Sequence, residues 1–453
     1  CEWIGDVTFD GVIAFDECHK AKNFSEREEA GSKVAKAVRE LQMKFPKARI
    51  VYVSATGVTD IGNMAYMDRL GLWGKGSTFE TFDDFRVSMG KRNIGALEML
   101  SMELKSTGTH VSRGLSYRNT TFDTVRAVAS PEQASIYSSA VTFWFKLKAA
   151  FSQCASLSKR KVNWRHFWST HQRFFRGLCV ALKVDIVVET VRDALECGKC
   201  AVIGLQSTNE AALDFWQRRF GDMEQDEVPV APCFSYNLSL LALIDTHFPT
   251  PSVEDVQNGS VPISIVKQVE AVRDELYDDA CTLVLPASAV DDIIFRLGGP
   301  LSVAELTGRK LRLSCARVNT IDKTKTLAQA ASQCVIEQRD ECAVKDEDCW
   351  DTTDSLNIQE KEAFMSGHKL IAIISDAAST GISLHAATRA VNQRQRVHIT
   401  VELPWAADAA IQQLGRTHRA SQVSAPQYKL VASGAGGENR FVAAVAARLQ
   451  SLG

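Results

Sequence analysis

No run of apolar residues in this chain approaches the roughly 20 that a membrane-crossing helix needs. No signal-peptide pattern is legible at its start either, so a membrane partner is not expected. Net charge is nearly absent: 52 Lys and Arg against 54 Asp and Glu leave −2. The field of the whole chain thus gives no argument for nucleic acid, and any such binding must come from local basic patches. The 12 cysteines show no disulfide rhythm, which in a chain of 453 residues fits a reducing compartment. Cys197-Gly198-Lys199-Cys200 is the one CxxC, and with no second pair at zinc spacing it reads as a helix-to-strand turn before it reads as a redox or metal site. A phosphate-cradling GxxxxGK[ST] loop is missing as well. Gly74-Lys75-Gly76-Ser77-Thr78 comes nearest, but it lacks the upstream glycine spacing and follows Leu72-Trp73, not a clear strand.

What is present is an ordinary globular composition, 45% hydrophobic and 23% charged, in a chain long enough for two or three domains. The first informative stretch is Gly11-Val12-Ile13-Ala14-Phe15, which reads as a short buried parallel strand, followed by Asp16-Glu17-Cys18-His19. Open α/β sheets bind ligands at the carboxyl ends of their strands. There, in a nucleotide-hydrolysing site, Asp16 would hold Mg²⁺, directly or through water, and Glu17 would orient or deprotonate the attacking water. An isolated Asp-Glu pair is more often an acidic strand end with no such task. Cys1 is not a start methionine and the acid-bearing strand comes at once, so the chain is expected to enter in the middle of a sheet, with something upstream of it missing.

A helix over Lys33 to Lys44, stopped by Pro46, leads to a second buried-strand pattern, Arg49 to Val53. Its end, Ser54-Ala55-Thr56, offers hydroxyls able to relay the state of the acid site to a neighbouring lobe. Phe122 to Ala129 reads as a strand closing this first region. Pro131 to Lys183 is helical, with aromatics among bases, including Trp144, His166, Phe167, Arg173, Phe174 and Arg176. Such a stripe can stack on bases and pair with phosphates, but it is more often a packing face with a solvated edge.

A second α/β pattern begins with a helix from Asp185 and the strand Ala201 to Leu205, which ends in Gln206-Ser207-Thr208. Ser207 or Thr208 would cap the next helix, whose start suits a phosphate. From 221 to about 356 prolines and the acidic run Asp340 to Asp354 break the rhythm, as in an insertion, with a small helical module around Asp291 to Gly308 and no fixed structure near the acidic run. The sheet resumes at Lys369 to Ile374, followed by a small-residue loop containing Thr380 and Gly381 with room for a sugar-phosphate backbone or nucleotide. A last strand, Val397 to Leu403, runs through Pro404 into a helix with Gln412, Gly415, Arg416, His418 and Arg419. At i, i+4 and i+7, Gln412, Arg416 and Arg419 would share one helix face and could act as an arginine finger, an element worth roughly 10³ to 10⁵ in phosphoryl-transfer rate. Read alone, such a face is usually just solvated.

The order of these pieces resembles superfamily 2 helicases, the Swi/Snf-type remodellers included. In wording it is closer to one family. Asp16-Glu17-Cys18-His19-Lys20-Ala21-Lys22-Asn23, Asn63-Met64-Ala65-Tyr66-Met67 with Arg69-Leu70-Gly71-Leu72-Trp73-Gly74, Ile203-Gly204-Leu205-Gln206-Ser207-Thr208, and Leu403-Pro404-Trp405 through Gln412-Gln413-Leu414-Gly415-Arg416-Thr417-His418-Arg419 are similar to the strawberry notch proteins. The resemblance runs from end to end, more loosely in the insertion.

It implies two RecA-like lobes of the P-loop NTPase helicase core clasping ATP and Mg²⁺, in a nuclear, ATP-dependent regulator acting on nucleic acid (DNA before RNA), chromatin and transcription proteins. By motif, Asp16 and Glu17 are the metal and water acids, Asp16 holding Mg²⁺ through water. His19, Ser54, Thr56, Gln412 and Gly415 couple hydrolysis to movement. Ser207, Thr208, Thr380 and Gly381 line the cleft or nucleic-acid track, and Arg416 and Arg419 complete the nucleotide site. The departure from the family is the absent phosphate loop, which leaves an ATPase inactive by itself as the expectation. The expected domains are the C-terminal half of a first lobe at 1–129, a helical bridge at 130–183, and a second lobe at 184–453 carrying the insertion at about 221–356. The alternative is a non-catalytic scaffold for chromatin or transcription partners that retains the helicase fold.

Overall fold

A computed structural model describes residues 7–22, 24, 31–54, 61–90, 93–112, 117, 119–208, 210–220, 236–252, 255, 258, 260–315, 326–327, 334–339, 352–375, 382–402, 404, 407–434 and 438. The chain forms two compact units that divide between Ser116 and Tyr117.

In the first unit, β1 (Val12–Phe15) and β2 (Arg49–Tyr52) pair in parallel, from Val12 opposite Arg49 to Phe15 opposite Tyr52. The crossover carries α1 (Lys33–Lys44), whose first turn is capped by the Ser32 hydroxyl accepting from the Ala35 amide at 3.1 Å. Both strands were expected to be buried. They alternate instead, with Val12 59% and Val51 45% exposed. The reason is that β1 and β2 have only each other as sheet partners among the described residues, and a parallel strand reads as buried on both faces only when layers cover both. The packed face rests on Met64, Tyr66, Met67 and Phe85, with Trp73 against Phe85 and Phe82. The helices α2 (Phe82–Gly90) and α3 (Asn93–Ser106) complete the unit.

The second unit is built on a six-stranded sheet whose neighbours all run parallel. Its order is β3 (Thr121–Ala127), β10 (Gln427–Ser433), β9 (Arg396–Thr400), β4 (Cys200–Gly204), β8 (Ile371–Ile374) and β5 (Val303–Leu306). Continuous apolar runs such as Ala201-Val202-Ile203 and Ile371-Ala372-Ile373-Ile374 are what a strand covered on both faces requires, and every residue of β4, β5, β8 and β9 is buried. One face packs Ala201, Ile203, Ile371 and Ile399 against Val187 and Val191 of α6 (Val184–Glu196) and Val290 and Ile293 of α10 (Ala289–Arg296). The other packs Val202, Leu306 and Ile374 on Phe364 of α11 (Thr352–Ser366).

A separate helical core joins α4 (Pro131–Ser158), α5 (Trp164–Ala181), α8 (Asn237–His247) and α9 (Ile263–Thr282). Among the described residues no helix is long and apolar enough to cross a membrane.

Three expected boundaries look different here. The strand at 121–127, placed at the end of the first lobe, is the edge of the second unit's sheet. The bridge shares one core with α8 and α9, which fall within the expected insertion. The module read as helical around Asp291 to Gly308 is a helix followed by β5, a strand of the main sheet. A short antiparallel pair, β6 (Leu311–Cys315) and β7 (Cys334–Gln338), follows β5. It is tied to the sheet by Arg309, which pairs with Asp291 at 2.7 Å and with Glu305, and by Arg339, which donates to the Glu305, Thr307 and Arg309 carbonyls. Residues 340–351 of the acidic run lie outside the described residues.

Candidate functional site

In the first unit the parallel pairing extends past β1. The Val53 amide donates to the Phe15 carbonyl at 2.9 Å, and the Cys18 amide donates to the Val53 carbonyl at 3.0 Å. The strand therefore ends in a tight reversal. Glu17 takes it in the left-handed region (φ 49°, ψ 41°), a conformation an L-residue adopts only at a cost. The exposed Asp16 carboxylate supports the turn by accepting from the Glu17 amide at 2.9 Å. A 3₁₀ turn, Cys18–Ala21, then buries Cys18 and Ala21 as anchors. Burial pushes the Cys18 thiol up, against a lowering hydrogen bond with the Tyr66 side chain, so Cys18 stays a neutral thiol. The anchored turn brings three of the sequence-selected side chains together. His19 Nδ1 is 3.3 Å from Glu17 Oε2 and 3.1 Å from Ser54 Oγ at the end of β2. One imidazole nitrogen thus faces both the would-be water acid and the hydroxyl of the adjacent strand. Thr56 lies outside the described residues.

No three His, Cys, Asp or Glu side chains cluster for a metal among the described residues. Mg²⁺ takes one or two carboxylates together with water and phosphate oxygens. Asp16 supplies such a carboxylate.

In the second unit, Ser207 and Thr208 follow β4 and line a cleft of about 900 Å³ with residues of α5, α7 (Glu210–Phe220) and α8. Ser207 was expected as a helix cap or phosphate contact. Its hydroxyl instead donates to Glu402 Oε2 at 3.1 Å, and the same oxygen accepts from the Gln206 and Ser207 amides, each at 2.8 Å. Arg176 of α5 pairs with the other oxygen of this buried carboxylate. Glu402 lies just past β9 and was not selected from the sequence, because a lone acid after a strand carries no motif. The basic-aromatic stripe divides: Trp144, Phe167 and Phe174 enter the helical core, whereas His166, Arg173 and Arg176 border the cleft. His166 and His247 stack at 4.8 Å, and the His247 imidazole is pushed down by burial and by its neighbour. Acids Glu210 and Asp245 face the same space, so the cleft carries both signs of charge.

The arginine motif departs most from expectation. The helix α12 (Ala407–Leu414) stops before it, and tighter bonds follow, from the Arg416 amide to the Gln413 carbonyl at 3.1 Å and from Thr417 to Leu414 at 3.2 Å. Gln412, Arg416 and Arg419 therefore do not share one helix face. Arg416 is 6% exposed and turns inward, its Nη1 donating to the Ile382 carbonyl at 3.2 Å. Arg419 is exposed, with Nε near the Gly415 carbonyl at 3.4 Å and its amide donating to Gln422 at 3.2 Å. Of the two, Arg419 is the one at the surface. Thr380 and Gly381, just before Ile382, lie outside the described residues.

Comparison with known proteins places both ends of the chain. Residues 288–453 match the family model described as the C-terminal domain on strawberry notch homologue, and residues 1–139 match that of P-loop containing NTP hydrolase pore-1. Over its full length the chain is 38% identical to protein strawberry notch homolog 2 of Mus musculus and 38% identical to homolog 1 of Rattus norvegicus, covering 37% and 40% of those proteins. It is 34% identical to protein FORGETTER 1 of Arabidopsis thaliana, covering 43%. The chain thus spans about two fifths of the length of these relatives. The SWI2/SNF2 ATPase core of Sulfolobus solfataricus in complex with dsDNA aligns over 98% of this chain and 68% of that one, at 12% identity and a TM-score of 0.31, too distant to carry any argument about this chain. The parallel sheets and the match at 1–139 make the fold a RecA-like α/β fold of the P-loop NTP hydrolases, and residues 288–453 are similar to the C-terminal domain of strawberry notch homologues.

Proposed function

The chain belongs to the strawberry notch family, and from that premise we propose that it carries the hydrolytic acids and the arginine turn of an ATP-driven nucleic-acid translocase. Asp16 would hold Mg²⁺ through water and Glu17 would orient or deprotonate the attacking water. His19 would link Glu17 to Ser54, so that a change at the acid is felt on β2. Arg419 and Arg416 would supply positive charge to the transferring phosphoryl group. Bound ATP·Mg²⁺ would contribute the reacting phosphoanhydride and the charge neutralisation that the side chains alone lack. The nucleic acid is proposed to be DNA before RNA, and the setting nuclear, with chromatin and transcription proteins as partners. The observation that carries this reading is the contact of His19 Nδ1 with both Glu17 and Ser54, since an acidic strand end of no function has no use for such a link.

The test is Glu17→Gln in the full-length protein that contains these residues. Turnover should fall at least about 10²-fold while ATP binding persists, because a general base is removed and the metal carboxylate kept. Equal loss of binding and turnover would make Glu17 a structural acid. A second reading, a scaffold that retains the fold without hydrolysis, draws on Arg416, which is buried with Nη1 donating to the Ile382 carbonyl instead of facing a phosphate. It expects E17Q to leave every activity of the full-length protein unchanged.

A further inference from the structure

Beneath the arginine turn, β9 carries a histidine that belongs to no recognised motif. His398 is 0% exposed, and its Nδ1 lies 2.9 Å from Thr417 Oγ1. Thr417 Oγ1 is also 3.2 Å from the Leu414 carbonyl oxygen, to which the Tyr428 hydroxyl of β10 donates at 3.0 Å. A carbonyl only accepts, so the contact with Leu414 takes the single hydroxyl proton of Thr417. Thr417 must then accept from His398, which places the imidazole proton on Nδ1. Nε2 is left without a hydrogen-bond partner among the described residues. A neutral imidazole with one unsatisfied nitrogen is a costly occupant for a core strand position that leucine would fill without penalty. What it supplies is a donor aimed at Thr417.

Leu414 ends α12, and its carbonyl is one of those an α-helix leaves unsatisfied. The Thr417 amide at 3.2 Å and two converging hydroxyls take it up and fix the helix end there. The chain then turns so that Arg416 points in toward Ile382 and Arg419 lies at the surface. We propose that His398 is a positioning residue for the arginine turn, holding Thr417, and through it the Leu414 carbonyl, in the one register that sends Arg416 inward and Arg419 outward. Its consequence for turnover rests on the hydrolytic reading above; its consequence for the geometry of the turn does not.

Two variants of the full-length protein separate the proposal from mere core packing. His398→Leu keeps volume and removes the donor. His398→Asn is smaller, but its amide nitrogen sits where Nδ1 does and can donate to Thr417. Hydrogen exchange over residues 410–422 should quicken about ten-fold or more in H398L and stay within about three-fold of the parent in H398N. ATP turnover should follow, with kcat down about ten-fold in H398L, KM changed less than about two-fold, and H398N largely restored, since small misplacements of a catalytic group act on the rate. Unchanged exchange in H398L, or equal quickening in both variants, overturns the proposal whatever the activity. Arg419→Ala identifies the other failure: if exchange responds as stated but R419A turns over ATP like the parent, the positioning stands and the hydrolytic reading of the turn falls.

Discussion

Arg419 and His398 show how differently two basic side chains on either side of one turn can be situated. The Arg419 guanidinium is at the surface and able to meet a phosphate with two parallel donors. Arg419→Lys keeps the charge and loses the fork, so in the full-length protein kcat should drop on the order of 10²-fold with a modest change in KM, because a finger acts mainly in the transition state. Turnover within about two-fold of the parent would retire the role. His398 is sealed in, and burial holds its imidazole down to about 3 from its ordinary 6.5. The unfolded chain takes up a proton below pH 6.5 that the folded ring refuses until about pH 3. The stability linked to this residue is therefore fully present above pH 6.5 and lost as pH falls toward 3. Asp292 works in the opposite sense: burial raises it to about 6, so its contribution is present below 3.8 and lost as pH rises. Comparing the parent with H398N cancels Asp292. Between about pH 7.5 and about pH 4.5 the parent should lose stability relative to H398N with a limiting slope of ~1.4 kcal/mol per pH unit in urea melts, and a flat difference would contradict the assignment.

Among the elements, the β6–β7 pair depends on charges that no water reaches. Arg309 is fully buried between Asp291 and Glu305. Burial alone would raise the Glu305 carboxyl, but the charge of Arg309 and its hydrogen bonds outweigh that and hold it at about 2. Arg309→Met would leave both acids without their shared cation, and breaking such a buried arrangement typically costs about 3–5 kcal/mol. A urea midpoint lowered by less than about 1 kcal/mol equivalent would mean that the acids are neutralised some other way. Much of this level was legible beforehand. The parallel character of β1, β2, β4, β8 and β9 follows from short apolar runs spaced by helical patterns. The full exposure alternation of β1 was not, since Val-Ile-Ala-Phe has no polar residue to mark an open face. Nor was the end of α12, because Gln412, Arg416 and Arg419 have perfect helical spacing while the stop is imposed by Thr417 and by Tyr428 from another strand.

For the whole molecule, the 453 residues contain the acids and the arginines but no GxxxxGK[ST] loop to hold β- and γ-phosphates. The chain by itself should therefore hydrolyse ATP negligibly, and robust nucleic-acid-stimulated turnover by the purified 453-residue chain would overturn that expectation. What the sequence alone determined is chemistry and element type: the acid box at a strand end, the parallel α/β character and the family wording of the motifs, all of which depend on residues within a turn or two of one another. Tertiary structure alone decided that 121–127 pairs with 427–433, that α4 and α5 share a core with α8 and α9, that Ser207 gives its proton to Glu402, and that Arg416 faces inward while Arg419 does not. Each of these joins residues remote in sequence or depends on a neighbour that is. Periodicity records only which face of an element is apolar, and the identity of the partner that covers that face is settled by packing between distant parts of the chain.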